Sequence, residues 1–98
     1  MQRFICTHTF GPNAMTREQV QQFSQATQNS QEIHGLQSFV NLSEGKAVCV
    51  IEAQSKSTLA SFFKKMGMPV DEIIAVELEG NQGVIQQVSE QPSAGLQA

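Results

Sequence analysis

Tryptophan and tyrosine are absent from this chain, and charged residues make up only 15% of it. Without Trp or Tyr, the aromatic content is six phenylalanines, of which Phe62 and Phe63 read as core rather than as a platform for stacking a ligand. The six basic residues are scattered, with Lys64-Lys65 the only adjacent pair, and the net charge is -3 with a pI near 5.2. Phosphate backbones and anionic lipid surfaces are bound by clustered Lys and Arg, so neither a nucleic acid nor a membrane surface is an expected partner. No run approaches the roughly 20 apolar residues that span a bilayer. Met1-Gln2-Arg3 leads straight into a strand-like segment without a secretory leader, so the expected location is cytoplasmic. There are two cysteines, read as free thiols rather than a disulfide in a reducing compartment. There is no CxxC, HxH or HExxH spacing and no Gly-rich phosphate loop.

What is present is a regular alternation of elements. The 98 residues, 40% hydrophobic, suit one domain, expected over 1–80, with an extra strand or dimer arm over 81–90 and a loose tail over 91–98. Phe4 to Phe10 is rich in β-favouring residues and stops at Gly11-Pro12-Asn13. Thr16-Arg17-Glu18-Gln19 matches a capping box and predicts a helix over about 16–30, with Val20, Phe23 and Thr27 on one side. Residues 36–42 and 47–53 read as two strands of a hairpin joined by Ser43-Glu44-Gly45-Lys46. Ser55 and Ser57 are cap candidates for a second helix carrying Leu59, Phe62, Phe63 and Met66, ended by Gly67 and Pro69. Residues 73–78 complete the set as a fourth strand. The order β-α-β-β-α-β is the split pattern of ferredoxin-like α+β folds, which predicts an antiparallel sheet of order 4-1-3-2 with both helices on one face.

Strand alternation then sorts the few reactive groups. Charge is costly under the helices, so Glu52 and Glu77 are expected on the open face, with Arg3 seated between them as a structural ion pair. That choice places Ile5, Val48, Val50, Ile73 and Ala75 on the open face, an apolar surface that predicts a homodimer. It leaves Cys6, His8 and Cys49 looking toward the helices. Thiolate and imidazole suit zinc, nickel or copper, and neighbouring strands bring such groups within reach of one ion, so these three are the candidate metal ligands. Against that stands the plain alternative that a buried cysteine packs as a small hydrophobe and a strand-end histidine satisfies a carbonyl. His34, beside Gly35, is expected in an exposed loop.

The run "GLQSFVNLSEGKAVCVIEAQS", followed by "GMPVDEIIAVE", resembles the small bacterial proteins grouped with a nickel-binding protein and formerly classed as a domain of unknown function. The shared marks are Cys49-x-x-Glu52-Ala53 and Gly67-x-Pro69-x-Asp71-x-Ile73, and the likeness covers roughly residues 3 to 80. The resemblance implies a ferredoxin-like fold, a homodimer assembled as an α+β barrel, and nickel or another divalent metal as ligand. Where the nickel binders carry Glu-x-His in the first strand and histidines on both helices, this chain has Cys6-Thr7-His8 and no helical histidine. The expected function is therefore that of a small binding or accessory protein, holding a metal ion or a small apolar ligand. The alternative is a cofactor-free enzyme of the dimeric barrel type, a monooxygenase or isomerase with His8 carrying a proton.

Overall fold

The computed structural model describes residues 1–88. The expected tail over 91–98 lies outside them. The elements are β1 (Gln2–Thr9), α1 (Arg17–Gln28), β2 (Ile33–Asn41), β3 (Lys46–Ala53), α2 (Lys56–Met66), β4 (Glu72–Ala75), β5 (Leu78–Asn81) and β6 (Val84–Gln87). Strands β2-β3-β1-β4 form one antiparallel sheet, which is the expected 4-1-3-2 order, and β5 and β6 pair with each other as a separate hairpin.

Both helices begin and end for local reasons. The Thr16 hydroxyl accepts from the Gln19 amide at 3.2 Å while the Gln19 side chain accepts from the Thr16 amide at 2.8 Å, closing the capping box. Ser55 caps α2 by accepting from the Thr58 amide at 3.1 Å. At the other end Gly67 takes φ +71°, which lets its N–H reach Lys64 and the Met68 N–H reach Phe63, so the last carbonyls are satisfied.

The β1–β3 register pairs Phe4 with Ile51, Cys6 with Cys49 and His8 with Ala47, and all six are buried on the helix side. Leu59 and Phe63 from α2 are fully buried against them, and Phe23 of α1 packs on Phe62 and Phe63. Burying a Leu or Phe side chain of this kind stabilises by about 1.5–3 kcal/mol. Ile33 of β2 completes this layer.

Three expectations change. First, β2 starts at Ile33, so His34 lies in a strand, exposed and opposite Glu52, rather than in a loop. Second, the fourth strand stops at Ala75. After Val76 donates to the Arg3 carbonyl the chain leaves the sheet, and the alternation cannot be carried from Ile73 through to Glu77. Consequently Ile73 stands beside Cys6 on the helix side and packs on the core, Ala75 stands beside Phe4, and Ile74 beside Ile5 is the residue on the open face. Third, the partners of Arg3 are Glu52 at 2.9 Å and Glu79 at 2.6 Å, not Glu77. Arg3 sits between two carboxylates as expected, but the second is delivered by the β5–β6 hairpin. Gln82 and Gly83 both take positive φ at the tip of that hairpin, the two-residue turn whose twist matches paired strands.

The approach of α1 to β2 depends on Gly35. A Cβ there would collide with the hydroxyl of buried Thr27, whose own position is held by its bond to the Ser24 carbonyl at 2.7 Å. Gly35→Ala is therefore expected to lower stability by about 1–3 kcal/mol in a urea titration, as overpacking does. Adding Thr27→Ala should recover part of that loss; full stability of Gly35→Ala alone would show that the helix moves away at no cost.

Candidate functional site

The site is built around the end of β1 and the loop that follows α2. In that loop the Asp71 amide donates to the Thr7 carbonyl at 2.7 Å, and the Thr9 hydroxyl donates to the Asp71 carboxylate at 2.6 Å. These two bonds hold residues 67–71 against β1 and place the Pro69 carbonyl 2.8 Å from His8 Nδ1. A carbonyl only accepts, so Nδ1 carries the hydrogen and Nε2 is left with an unprotonated lone pair. Nε2 is buried and has no hydrogen-bond partner among the described residues. The ring is also fixed edge-on to Phe63, with centroids 4.9 Å apart and planes at 76°. Burial is the main influence on the imidazole and pushes its pKa down; the Pro69 carbonyl and then Asp71 oppose that in part.

His8 forms part of the wall of a cavity of about 300 Å³ between the sheet and α1. Cys49 shares the sheet side, Val20 and Phe23 come from α1, and Met15 and Met68 come from the loops at its rim. Two of the three candidate ligands thus meet at one cavity. Cys6 does not line it: it lies fully buried in the core, across the β1–β3 ladder from Cys49. Both cysteines are free. Burial, reinforced by the neighbouring Cys49, pushes the Cys6 thiol up to about 12. Burial raises Cys49 too, with a hydrogen bond from Ser38 working the other way. Glu52, the other half of the Cys-x-x-Glu motif, faces away from this cavity and serves Arg3. Hydrogen bonds that Arg3 donates to Glu79 and then to Glu52 hold the guanidinium still more firmly charged.

A family model described as nickel responsive protein SCO4226-like matches residues 4–76. The chain belongs to that family. The crystal structure of SCO4226 from Streptomyces coelicolor A3(2) superposes with a TM-score of 0.68 at 23% identity, covering 80% of this chain and 99% of that one. That likeness establishes the fold. No curated protein matches the chain. Among the described residues no helix is long and apolar enough to cross a membrane.

The family description raises the question of whether these side chains fit nickel. Nickel(II) favours a tetragonal or octahedral set of nitrogen, oxygen and thiolate donors. Here the cavity wall offers one imidazole and one thiol kept protonated by burial, and no three His, Cys, Asp or Glu side chains cluster among the described residues. The donors of a single chain do not fit nickel. Pro69 and Asp71 are the residues that residue-type reasoning passed over: they sit in the Gly-x-Pro-x-Asp-x-Ile motif, but their work is done by a carbonyl and a loop anchor that carry no sequence signature of their own.

Two outcomes follow. Iodoacetamide at pH 8 should leave Cys6 unlabelled in the native protein and label it at once in urea, whereas rapid native labelling would contradict its placement. Nitrogen NMR should show His8 as the neutral Nδ1–H form at pH 6.5. Since its folded pKa lies below the unfolded value of about 6.5, the unfolded chain gains the proton first, and stability should fall as pH drops below that point. A His8→Leu variant should show a flatter decline between pH 7 and 5.

Proposed function

We propose that the chain is a small homodimeric binding or accessory protein, not an enzyme, and that its ligand is a soft metal ion taken up at the cavity walled by His8. The observation that carries this is the imidazole itself, held neutral with its free lone pair at a buried nitrogen. A histidine whose other ring nitrogen donates to a backbone carbonyl is arranged as metal-ligating histidines are. Cys49 is the second donor on the sheet side, and Cys6 supports it from the core. The family description supports a metal-responsive role, while the donor set favours an ion softer than nickel.

The same lone pair favours one other reading, a cofactor-free enzyme in which His8 accepts a proton. It is the weaker reading because the other titratable group on the sheet wall, Cys49, is held in its protonated form. Full turnover by His8→Ala on any substrate found would remove it.

Dimerisation rests on the open face of the sheet. Ile5, Val48, Val50 and Ile74 form an apolar surface there, and Phe39, 58% exposed, extends it beside Val48. Leu78, Val84 and Ile85 of the β5–β6 hairpin are also exposed, and the hairpin is the arm that would reach a partner. A second copy covering this face removes from water a patch that monomers rarely display.

Sedimentation at micromolar concentration should give about twice the 10.7 kDa chain mass, and Val48→Glu with Ile74→Glu should return it to one chain. A clean wild-type monomer would end the dimer reading. For the binding site, titration with zinc(II), nickel(II) and silver(I) should reveal at least one saturable ion that shifts the His8 Nε2 resonance and is lost in His8→Gln. Metal uptake that never moves that nitrogen, or equal uptake by the variant, would count against the cavity as the site.

A further inference from the structure

Cys6 and Cys49 stand directly opposite each other across the β1–β3 ladder, both on the helix side and both in the same core cluster. Each is a free thiol, and the chain has no other cysteine. The hydrogen-bonding phase of the ladder sets their spacing. Just past β1 the Phe10 amide donates to the Gly45 carbonyl at 2.8 Å, and the same register continues down the ladder to Cys6 and Cys49. Four residues from that bond on each strand, the two cysteines fall at a hydrogen-bonded position, where opposed Cα atoms stand about 5.5 Å apart. Disulfides join Cα atoms roughly 4.4–6.8 Å apart, so the backbone is already placed for one. The surroundings of the two thiols differ. Cys49 lines the cavity walled by His8 and also a neighbouring one of about 240 Å³ shared with Thr27 and Gly35, whereas Cys6 lines neither.

We infer that this pair is a modification site, at which a peroxide oxidises Cys49 and Cys6 then closes a cross-strand disulfide. The inference goes beyond the binding role proposed above and does not depend on it. Hydrogen peroxide is small and uncharged, and the cavity of about 300 Å³ has the exposed residues Arg17 and Gln21 on its wall, so it opens to solvent and admits such a molecule. The Cys49 sulfur attacks one peroxide oxygen, the O–O bond breaks, and the thiol proton leaves with hydroxide as water, giving a sulfenic acid. The Cys6 sulfur then attacks the Cys49 sulfur; the S–O bond breaks, and the departing hydroxide takes the Cys6 proton as a second water. Two thiols thus lose two electrons to one peroxide. Burial keeps thiolate scarce at both positions and makes the first step slow; at Cys49 the Ser38 hydrogen bond offsets this in part, while at Cys6 every influence acts upward. That asymmetry makes Cys49 the thiol attacked and Cys6 the one that resolves it. Opposed Cβ atoms in a sheet lie about 4.5–5.5 Å apart, against about 3.5–4.5 Å in a disulfide, so the bond draws the strands together and is readily reduced rather than a permanent staple.

The test treats the full wild-type chain with millimolar hydrogen peroxide, alkylates the remaining thiols in urea and maps the tryptic peptides. Peptides 4–17 and 47–56, which carry the two cysteines, should be recovered as one linked species, with loss of both free thiols. Electrophoresis without reductant should place that species in a single chain, and reduced glutathione should part the peptides again. Cys49→Ala should leave the Cys6 thiol intact under the same treatment. Cys6→Ala, checked for folding by circular dichroism, should hold Cys49 as a sulfenic acid that dimedone captures. Two thiols fully alkylated after peroxide overturn the inference, as does a linkage found only between two chains or equal oxidation of Cys6 in the Cys49→Ala variant. The wild-type peptide map decides the matter even where a variant fails to fold.

Discussion

The phase of β1 governs this molecule. Phe4, Cys6 and His8 are two residues apart, and the pairing of β1 with β3 and β4 turns all three toward the helices. The first two sit in the core that Leu59 and Phe63 fill, and the third reaches the rim. A slip of one residue would bury Arg3, Thr7 and Thr9 and expose the aromatic and thiol positions, so register is specified strongly by burial alone. The ion pairs of Arg3 with Glu52 and Glu79 on the other face act in the same direction, because they require Arg3 to stay in solvent's reach.

That constraint delivers a histidine to the wall of a cavity and leaves one of its nitrogens without a partner among the described residues. A buried unsatisfied polar atom costs about 1–3 kcal/mol, a sizeable share of a small domain's stability. The fold sustains it because the other nitrogen is bonded to Pro69, the ring is packed on Phe63, and Asp71 fastens the loop to β1. The cavity wall holds this imidazole and the protonated Cys49 thiol, while the carboxylates of Glu52 and Glu79 lie on the opposite face with Arg3. Membership of a nickel-responsive family and a donor set of this kind are compatible, for a shared fold does not transfer individual ligands.

The opposite face of the sheet differs in character. Its centre is apolar, its edge holds the Arg3 cluster, and the β5–β6 hairpin brings Glu79 to that cluster while leaving Leu78, Val84 and Ile85 in solvent. The hairpin is thus anchored by charge at its base and offers apolar side chains further out. The cavity and the open face are separated by the thickness of one sheet, and both are built on β1 and β3.

Element order, both helix caps, the β2–β3 hairpin and the inward phase of β1 and β3 were legible in the residues, because each rests on local chemistry: a Thr or Ser hydroxyl at a cap, a glycine able to take positive φ, a two-residue alternation that burial cannot ignore. That His8 and Cys49 both look toward the helices followed from that alternation. What failed was reasoning across a break. Ile73 to Leu78 looks continuous in sequence, yet the sheet ends at Ala75, so parity counted back from Glu77 put Ile73 and Ala75 on the wrong side and chose Glu77 over Glu79. The tautomer of His8, the carbonyl that sets it, and the core position of Cys6 away from the cavity belong to the tertiary structure alone. They are decided by loops that approach from far along the chain, and no local propensity encodes which backbone oxygen will arrive beside which ring.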